Sequence, residues 1–383
     1  MSKSKTIITF KNFLIGSCMC LLFVSIGHSQ HNSSVFSWQH ESFLYETASL
    51  SMSNAALTHF INPAVGGREN HLLFRSNLGT AHPYSIDFDA AGNNPELTNF
   101  GLSFTDQRFW VVTSVETFSH NWFDQGLNRF QTFKLQTGYQ LNKALAIGIG
   151  TSINRSSHQE IIDHTNFGGR RSQTQYSHSF DLGLYYTESL RSNRFIVQPE
   201  TGLSLNNIGS YHKYELDMWP QESYLPQSAQ LNWSVGLNAA IIDEWRSRSW
   251  FSIGVYAGLS KYFARLPDIY GGSGSGFRDL FTNWGSFELR DNPNESVSAT
   301  DQVALGLGTK ITVLEMVTVQ YGRLSGADLW VRSRQSWGIG LEYSYFSLNM
   351  TGIKYQSEAS WDDKSSLIFY EAIVNLPLSI INF

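Results

Sequence analysis

Alternation of apolar and polar residues over runs of about ten residues is the feature that most constrains the fold of this chain. In one run Phe133, Leu135 and Tyr139 lie on the same face, and the residues between them are polar or small. A period of two is that of a β-strand with one apolar face. Asn142-Lys143 then marks a turn, and a second alternating run follows. The two runs together predict a β-hairpin.

Five further runs repeat this alternation, and their polar faces consist mainly of Gly, Ser, Asn and Ala. They cover residues 176–186, 231–241, 251–260, 303–311 and 336–345. Such runs, with aromatic residues near their ends, are typical of a barrel whose apolar face contacts lipid and whose polar face lines the lumen. The sequence therefore predicts an all-β fold, a transmembrane antiparallel β-barrel of about fourteen strands with a short N-terminal hatch segment. A secreted β-sandwich or jelly roll also alternates and stays open as an alternative.

The connections between the runs alternate between short and long. Asn142-Lys143 and residues 243–248 form short ones, whereas residues 155–175, 206–230 and 262–300 form long ones. Short periplasmic turns and long outer loops are the expected asymmetry of an outer-membrane barrel. The charged residues predicted to face the lumen are Lys134, Asp181, Lys310 and Glu342.

Composition excludes several classes of protein. Charged residues make up 15% of the chain, whereas soluble domains hold roughly 25%. Aromatic residues make up 14%, whereas disordered chains are charged and poor in aromatics. The net charge is −5, which gives no basic footprint for nucleic acid. A cytosolic enzyme, a disordered chain and a nucleic-acid-binding protein are therefore all disfavoured.

The first thirty residues predict export. Lys3, Lys5 and Lys11 form a positive segment, the apolar stretch 13–26 follows, and small residues lead to Ser29. This order is typical of a secretory signal peptide, here cleaved between Ser29 and Gln30. Together with the predicted barrel, it places the protein in the outer membrane of a Gram-negative bacterium.

The chain accordingly divides into a signal peptide (1–29), an N-terminal hatch segment (30–70) and an outer-membrane β-barrel (71–383). Residues 48–64 lack clean alternation and contain small residues and a proline, so we expect a piece that packs inside or beneath the barrel. Cys18 and Cys20 both fall in the signal peptide. The predicted mature chain therefore cannot form disulfides.

Two short motifs carry a resemblance to known families. The tripeptide Asn-Pro-Ala at 62–64 and the tripeptide Tyr-Gly-Arg at 321–323 resemble the fatty-acid-transporter-like barrels of outer membranes, especially their Bacteroidetes relatives of type IX secretion, known as PorV. Residues 62–68 also resemble a second type IX family, PorP/SprF. The resemblance implies a hatch motif of Asn62, Pro63 and Ala64. It also implies a non-enzymatic barrel that serves as an accessory or partner-binding component of type IX protein secretion.

Aromatic residues in the long predicted loops are candidate contacts for secretion-machine subunits or secreted cargo, because interface hot spots favour Trp and Tyr. They are Trp219, Tyr224, Tyr270 and Trp284. The same residues equally suit an interfacial girdle against outer-membrane lipid.

Two other functions stay open. One is a passive transporter for hydrophobic compounds, which requires an apolar pocket inside the barrel and a lateral opening. The other is a structural or adhesion barrel. The predicted inward positions are mostly Gly, Ser, Asn and Ala, which disfavours the transporter.

No catalytic, metal or cofactor site is predicted. Residues 158–164 bring two histidines and two carboxylates together, but their spacing matches no zinc motif and they fall in a predicted polar loop. The glycine-rich stretch 271–276 lacks the strand and helix that a phosphate-binding loop needs on its two sides. Both segments are interpreted as loops.

Overall fold

A computed structural model describes most of the chain from residue 62 onward. The described ranges are 62–65, 71–82, 96–106, 108–121, 127–161, 170–209, 229–242, 249–263, 280–281, 284–289, 292–300, 302–325, 334–343, 345–355 and 366–377. The predicted signal peptide and most of the predicted hatch segment lie outside the described residues, so that division of the chain stays a prediction.

Within the described residues the chain forms seventeen β-strands. They are β1 (His71–His82), β2 (Glu96–Asp106), β3 (Phe109–Asn121), β4 (Leu127–Gln140), β5 (Leu145–Ile161), β6 (Arg170–Thr187), β7 (Leu190–Arg191), β8 (Phe195–Gly209), β9 (Gln230–Ile242), β10 (Ser249–Tyr262), β11 (Phe287–Leu289), β12 (Asn292–Val297), β13 (Val303–Val313), β14 (Val317–Ser325), β15 (Arg334–Tyr343), β16 (Phe346–Tyr355) and β17 (Ser366–Pro377).

Fourteen of these strands form one antiparallel sheet that returns to its first strand. The ring runs β1 to β6, β8 to β10 and β13 to β17, and every neighbouring pair is antiparallel. β6 pairs with β8, and β17 pairs with β1, so each of the fourteen strands has a partner on both sides. A closed sheet leaves no unpaired edge, which is what lipid demands of a spanning β-structure. The predicted all-β barrel of about fourteen strands is confirmed, and the sandwich alternative is wrong.

The outer surface of this ring is apolar. Along β5, Ile147 and Ile149 point outward and Ile149 is 58% exposed, whereas Ala146 and Gly148 point inward and are buried. Leu182 and Leu184 on β6 repeat this arrangement. Exposed aliphatic side chains on every second position are unfavourable in water and favourable in lipid. This face of the sheet therefore contacts the membrane.

The two ends of the ring differ in the length of their connections. At one end β2 joins β3 through residues 107–108, β4 joins β5 through 141–144, and β13 joins β14 through 314–316. At the other end the connections include 210–229 and 263–302. We call these the short-turn end and the long-loop end, and the short-turn end is the periplasmic one in barrels of this type.

Two of the predicted long loops are partly wrong. β5 continues to Ile161 and β6 begins at Arg170, so most of the segment 155–175 is paired strand and includes His158. The connection 263–302 contains the small hairpin of β11 and β12. Apolar alternation marks only the part of a strand that faces lipid, so it does not reveal strands that extend beyond the membrane. No helix among the described residues is long and apolar enough to cross a membrane.

Candidate functional site

A tight turn at residues 62–65 is the most unusual feature of the lumen. The backbone N–H of Val65 donates to the carbonyl oxygen of Asn62 at 3.0 Å, which closes the turn. The side-chain Oδ1 of Asn62 accepts a second bond from the N–H of Ala64 at 2.9 Å. Pro63 occupies the second position, where its fixed φ favours a turn, and Asn is favoured at the first position for the bond it accepts. The Asn-Pro-Ala sequence thus specifies its own local structure.

The turn is buried inside the barrel and hydrogen-bonded to its wall. Asn62 is 1% exposed, and its Nδ2 donates to the carbonyl oxygens of Leu184 at 3.0 Å and Leu203 at 3.5 Å. The indole Nε1 of Trp110 donates to the carbonyl oxygen of Pro63 at 3.2 Å. Leu184 on β6 and Leu203 on β8 are opposite each other in the ladder. The turn is therefore attached to the wall where these two strands meet, and also to β3.

Four glycines on neighbouring strands leave room for the turn and for the Trp110 ring that is bonded to it, and we call them the glycine seat. They are Gly138 on β4, Gly148 on β5, Gly183 on β6 and Gly202 on β8.

Glycine is required in the glycine seat because a side chain would fill the space, and not because the backbone adopts a conformation that only glycine allows. A Cβ at Gly148 would overlap the carbonyl group of Pro63, and one at Gly183 would overlap the Oδ1 of Asn62. A Cβ at Gly202 would lie 2.9 Å from the Nδ2 of Asn62. These positions alternate with outward-facing residues of β5 and β6, so the turn lies on the lumen side of the wall.

Apolar side chains surround the turn in two clusters. Ala64 and Val65 pack with Tyr185, and Trp110 packs near Val112 and Ala146. Trp110 is 2% exposed, and its ring covers Gly138. The prediction of a lumen lined mainly by small and polar residues did not include this apolar zone. Trp110, Val111 and Val112 are consecutive apolar residues, so alternation could not indicate which of them face inward.

A buried ion pair lies next to the turn. The Nζ of Lys134 is 2.8 Å from the Oδ2 of Asp181, and Asp181 is fully buried. The Oδ1 of Asp181 accepts a bond from the backbone N–H of Asn207 at 2.9 Å. Lys134 and Asp181 were both predicted to face the lumen, and the structure brings them together.

The pairing of β6 with β8 shifts by one residue at Asp181. Phe180 pairs with Ile208 and Leu182 pairs with Leu205, so β8 holds one residue more than β6 over this interval. Asn207, within the extra length, has a φ of 57°. An extra residue in the left-handed conformation is a β-bulge, which bends the strand and interrupts the ladder. The bulge adjoins the part of the wall to which the turn is bonded.

A chain of polar side chains extends from the turn across the lumen wall. The hydroxyl of Tyr185 donates to Oε2 of Glu200, and the Nδ2 of Asn238 donates to Oε1 at 2.7 Å. The hydroxyl of Tyr256 donates to the Oδ1 of Asn238. Both carboxylate oxygens of Glu200 are therefore occupied, and Tyr185 is held in the cluster that it forms with Ala64 and Val65.

The other predicted residues lie elsewhere. Lys310 occupies a lumen position on β13 opposite Gly254, and Glu342 lies near the end of β15. Among the described residues, no three His, Cys, Asp or Glu side chains are grouped as metal ligands.

The predicted loop aromatics lie far from the turn or outside the described residues. Trp219, Tyr224 and Tyr270 are outside them. Trp284 lies at the long-loop end, where its Nε1 donates to the carbonyl oxygen of Leu280 at 2.7 Å. Its ring meets the buried Phe263 edge to face at 4.9 Å, yet Trp284 stays 55% exposed. Trp284 thus fastens its own loop to the end of β10.

Comparison with known proteins gives likenesses of fold. No protein-family model and no curated protein matches the sequence. A FadL homologue from Pseudomonas aeruginosa has 10% identity and a TM-score of 0.41, covering 84% of this chain and 94% of that chain. The toluene transporter TbuX from Ralstonia pickettii has 8% identity and a TM-score of 0.41, covering 83% and 92%. Outer membrane phospholipase A from Escherichia coli has 9% identity and a TM-score of 0.30, covering 81% and 90%. The closed ring and apolar exterior of this chain make it an outer-membrane β-barrel.

Proposed function

We propose that the protein is a passive transport barrel for hydrophobic compounds, and that the turn at 62–65 closes its lumen near the short-turn end. The observation that carries this proposal is the position of the turn, which is buried inside the barrel among apolar side chains. A structural or adhesion barrel has no need of a fitted internal turn, whereas a gated passage does.

The bonds that hold the turn suit a reversible closure. Three hydrogen bonds attach it to the wall, two from Asn62 and one from Trp110. Each contributes about 0.5–1.5 kcal/mol net, so the three together contribute on the order of 3 kcal/mol. A closure of that strength is released when a ligand competes for the same surface.

The surface under the turn suits an apolar ligand. Displacement of Ala64 and Val65 would uncover the ring of Tyr185, which is buried and belongs to the same cluster. A hydrophobic compound that takes the place of these two residues restores the buried apolar contact. The compound and the turn then compete for the same surface, so binding of the compound releases the turn.

The wall beside the turn suits passage toward lipid. Asn62 bonds to both strands of the β6–β8 pair, and the bulge at Asn207 lies in the same pair. Release of the turn removes these bonds at a place where the ladder is already irregular. The proposal therefore assigns the lateral exit to the wall between β6 and β8.

A reversible cross-link tests the proposal directly. Val65 and Tyr185 belong to one cluster of buried residues, and both cysteines of the chain fall in its predicted signal peptide. A Val65→Cys/Tyr185→Cys variant is joined with a short cross-linker that attaches to each thiol through a disulfide bond, so that reduction releases it; the protein is then reconstituted in liposomes and tested for uptake of labelled fatty acid and toluene. We expect the cross-linked protein to admit neither probe and the reduced protein to admit at least one. The Val65→Cys single variant, treated in the same way, controls for modification alone.

Two outcomes contradict the proposal. One is equal uptake before and after reduction, since the turn then does not gate the passage. The other is uptake by the reduced protein that does not exceed that of protein-free liposomes.

A role as an accessory of type IX secretion is the second candidate, and the exposed face of Trp284 favours it. An aromatic side chain with one face packed on Phe263 and the other free is a rigid anchor for a partner. Affinity purification from detergent-solubilised outer membranes tests it. Recovery of secretion-machine subunits by the native chain, and their loss with Trp284→Ala, is the expected result; recovery of none contradicts it.

A further inference from the structure

The outward face of β4, β5 and β6 changes from apolar to polar toward the long-loop end. Ile153 on β5 and Phe180 on β6 are exposed apolar residues of the lipid-facing surface. Four residues with polar or basic groups lie level with Ile153 or beyond it, and we call them the outer basic patch. They are Gln131, Arg155, Tyr176 and His178.

The strand register brings the four residues of the outer basic patch together. Arg155 pairs with Gln131 on one side and with Tyr176 on the other. His178 pairs with Ile153, two positions away from Arg155 along β5. Directly paired and diagonal side chains on one face of a sheet lie within reach of one another. The patch is therefore one continuous surface across three strands.

Arg155 has hydrogen-bonding capacity to spare. Its Nη1 donates to the Oε1 of Gln131 at 3.5 Å, which is a long bond. Its Nε is buried and has no hydrogen-bond partner, and no ion pair to this guanidinium is found among the side chains that the structure describes. A guanidinium carries five N–H donors in a planar fork that matches a carboxylate or phosphate. Arg155 thus lacks the anion that its geometry suits.

The height of the outer basic patch fits the boundary between acyl chains and headgroups. β5 begins at Leu145 by the short-turn end, and Arg155 lies about ten residues further along. At about 3.3 Å a residue and a tilt near 40°, that distance is about 25 Å along the membrane normal, the height of a barrel's apolar band. Arg155 therefore reaches the headgroups of the outer leaflet.

We propose that the outer basic patch binds a phosphate group on a glycolipid headgroup of the outer leaflet. Arg155 supplies paired N–H donors to the phosphate, and the exposed His178 and the hydroxyl of Tyr176 add further donors. The acyl chains of the same lipid lie against Ile153 and Phe180 directly below. That adjoining apolar surface is the reason to assign a lipid rather than free phosphate.

Lipid binding by purified full-length protein tests the proposal. The protein in nonionic detergent is titrated with lipid A or with the same lipid after removal of its phosphates, and bound lipid is counted by native mass spectrometry. We expect the native chain to retain the phosphorylated lipid at about tenfold lower concentration, as befits hydrogen bonds to a charged group. Arg155→Gln/His178→Gln should abolish that preference.

Arg191 provides the matched control. It is exposed on the short strand β7 at the short-turn end, opposite the outer basic patch along the membrane normal. Arg191→Gln should keep the full preference for phosphorylated lipid, and heat-modifiable migration on gels confirms that each variant keeps its barrel. The proposal is overturned if the native chain shows no preference, if the double variant keeps it, or if Arg191→Gln loses it as well.

Discussion

Gly148 on β5 and Pro63 in the lumen turn lie so close that a single methyl group cannot be placed between them. The atom that a Cβ would overlap belongs to the backbone of the turn, which cannot rotate aside as the end of a long side chain can. Gly150, two residues along the same face of β5, faces a different neighbour. A Cβ there would lie 2.9 Å from the Cγ of Gln136, a flexible side chain, and 3.1 Å from the Oδ2 of Asp181, so it meets no atom of the turn.

The first prediction compares these two glycines. Gly148→Ala should expel the turn from the glycine seat while leaving the barrel intact, because the nearest atoms to the new methyl group belong to the turn and not to the wall. Gly150→Ala should leave the turn in place, because Gln136 can move. Single-channel conductance in planar bilayers checks this, with a larger conductance expected for Gly148→Ala alone. Equal conductance of the two variants would show that the turn does not close the lumen.

The second prediction concerns the indole that holds Pro63. Trp110→Phe removes the bond to the Pro63 carbonyl and should weaken docking of the turn by about 1 kcal/mol, or roughly fivefold in its open population. The rate at which a membrane-impermeant maleimide labels Val65→Cys measures that population. Trp337→Phe is the control, since Trp337 faces outward and covers Gly352. Equal labelling rates in the two backgrounds would contradict a role for Trp110 in docking.

The third prediction concerns Lys134 and Asp181. Asp181→Asn leaves the Lys134 ammonium without its counter-charge and should destabilise the barrel by about 3–5 kcal/mol. Lys134→Met together with Asp181→Asn should recover most of that loss, because both charges are then absent. Urea-induced unfolding of the barrel in detergent micelles measures each variant. A double variant as unstable as Asp181→Asn would mean that packing, and not charge, dominates at this position.

The fourth prediction concerns the bulge in β8. Asn207 has a φ of 57°, and its backbone N–H, not its side chain, bonds to Asp181. Asn207→Ala should therefore destabilise the protein by about 1 kcal/mol, whereas Asn207→Gly should be nearly neutral because glycine adopts this conformation freely. Thermal unfolding compares the two. Equal losses with Gly and with Ala would assign the stability of the bulge to a side-chain contact of Asn207.

Local pattern was enough to predict much of the strand arrangement. The hairpin predicted around Asn142-Lys143 exists as β4 and β5, and the Oδ1 of Asn142 accepts bonds from the N–H groups of Ala144 and Leu145. The run 231–241 corresponds to β9 and the run 303–311 to most of β13. The run 336–345 extends too far, since β15 ends at Tyr343 and β16 begins at Phe346. A period of two is a property of neighbouring residues, so a single sequence displays it.

The candidate site depends on register, which a single sequence does not display. Lys134 and Asp181 were each predicted to face the lumen, but only the pairing of β4 with β5 and of β5 with β6 brings them together. The glycine seat could not be recognised for the same reason, because its members come from four strands. One signal was available in the sequence. Once β4, β5 and β6 are paired, Gly138 lies opposite Gly148, and Gly148 lies opposite Gly183. The bulge at Asn207 left no such signal.

The seat that accepts the turn is formed by glycines of the barrel wall, and under the proposed gating it would be vacant when the turn is released. Its shape is set by missing side chains, so it accepts a compact backbone bend, and the side-chain amide of Asn62 adds two bonds to the wall. A free tetrapeptide of the sequence Asn-Pro-Ala-Val therefore carries all that the seat recognises. The barrel thus contains a binding site for its own N-terminal region. Small peptidomimetics can compete with that region for the site.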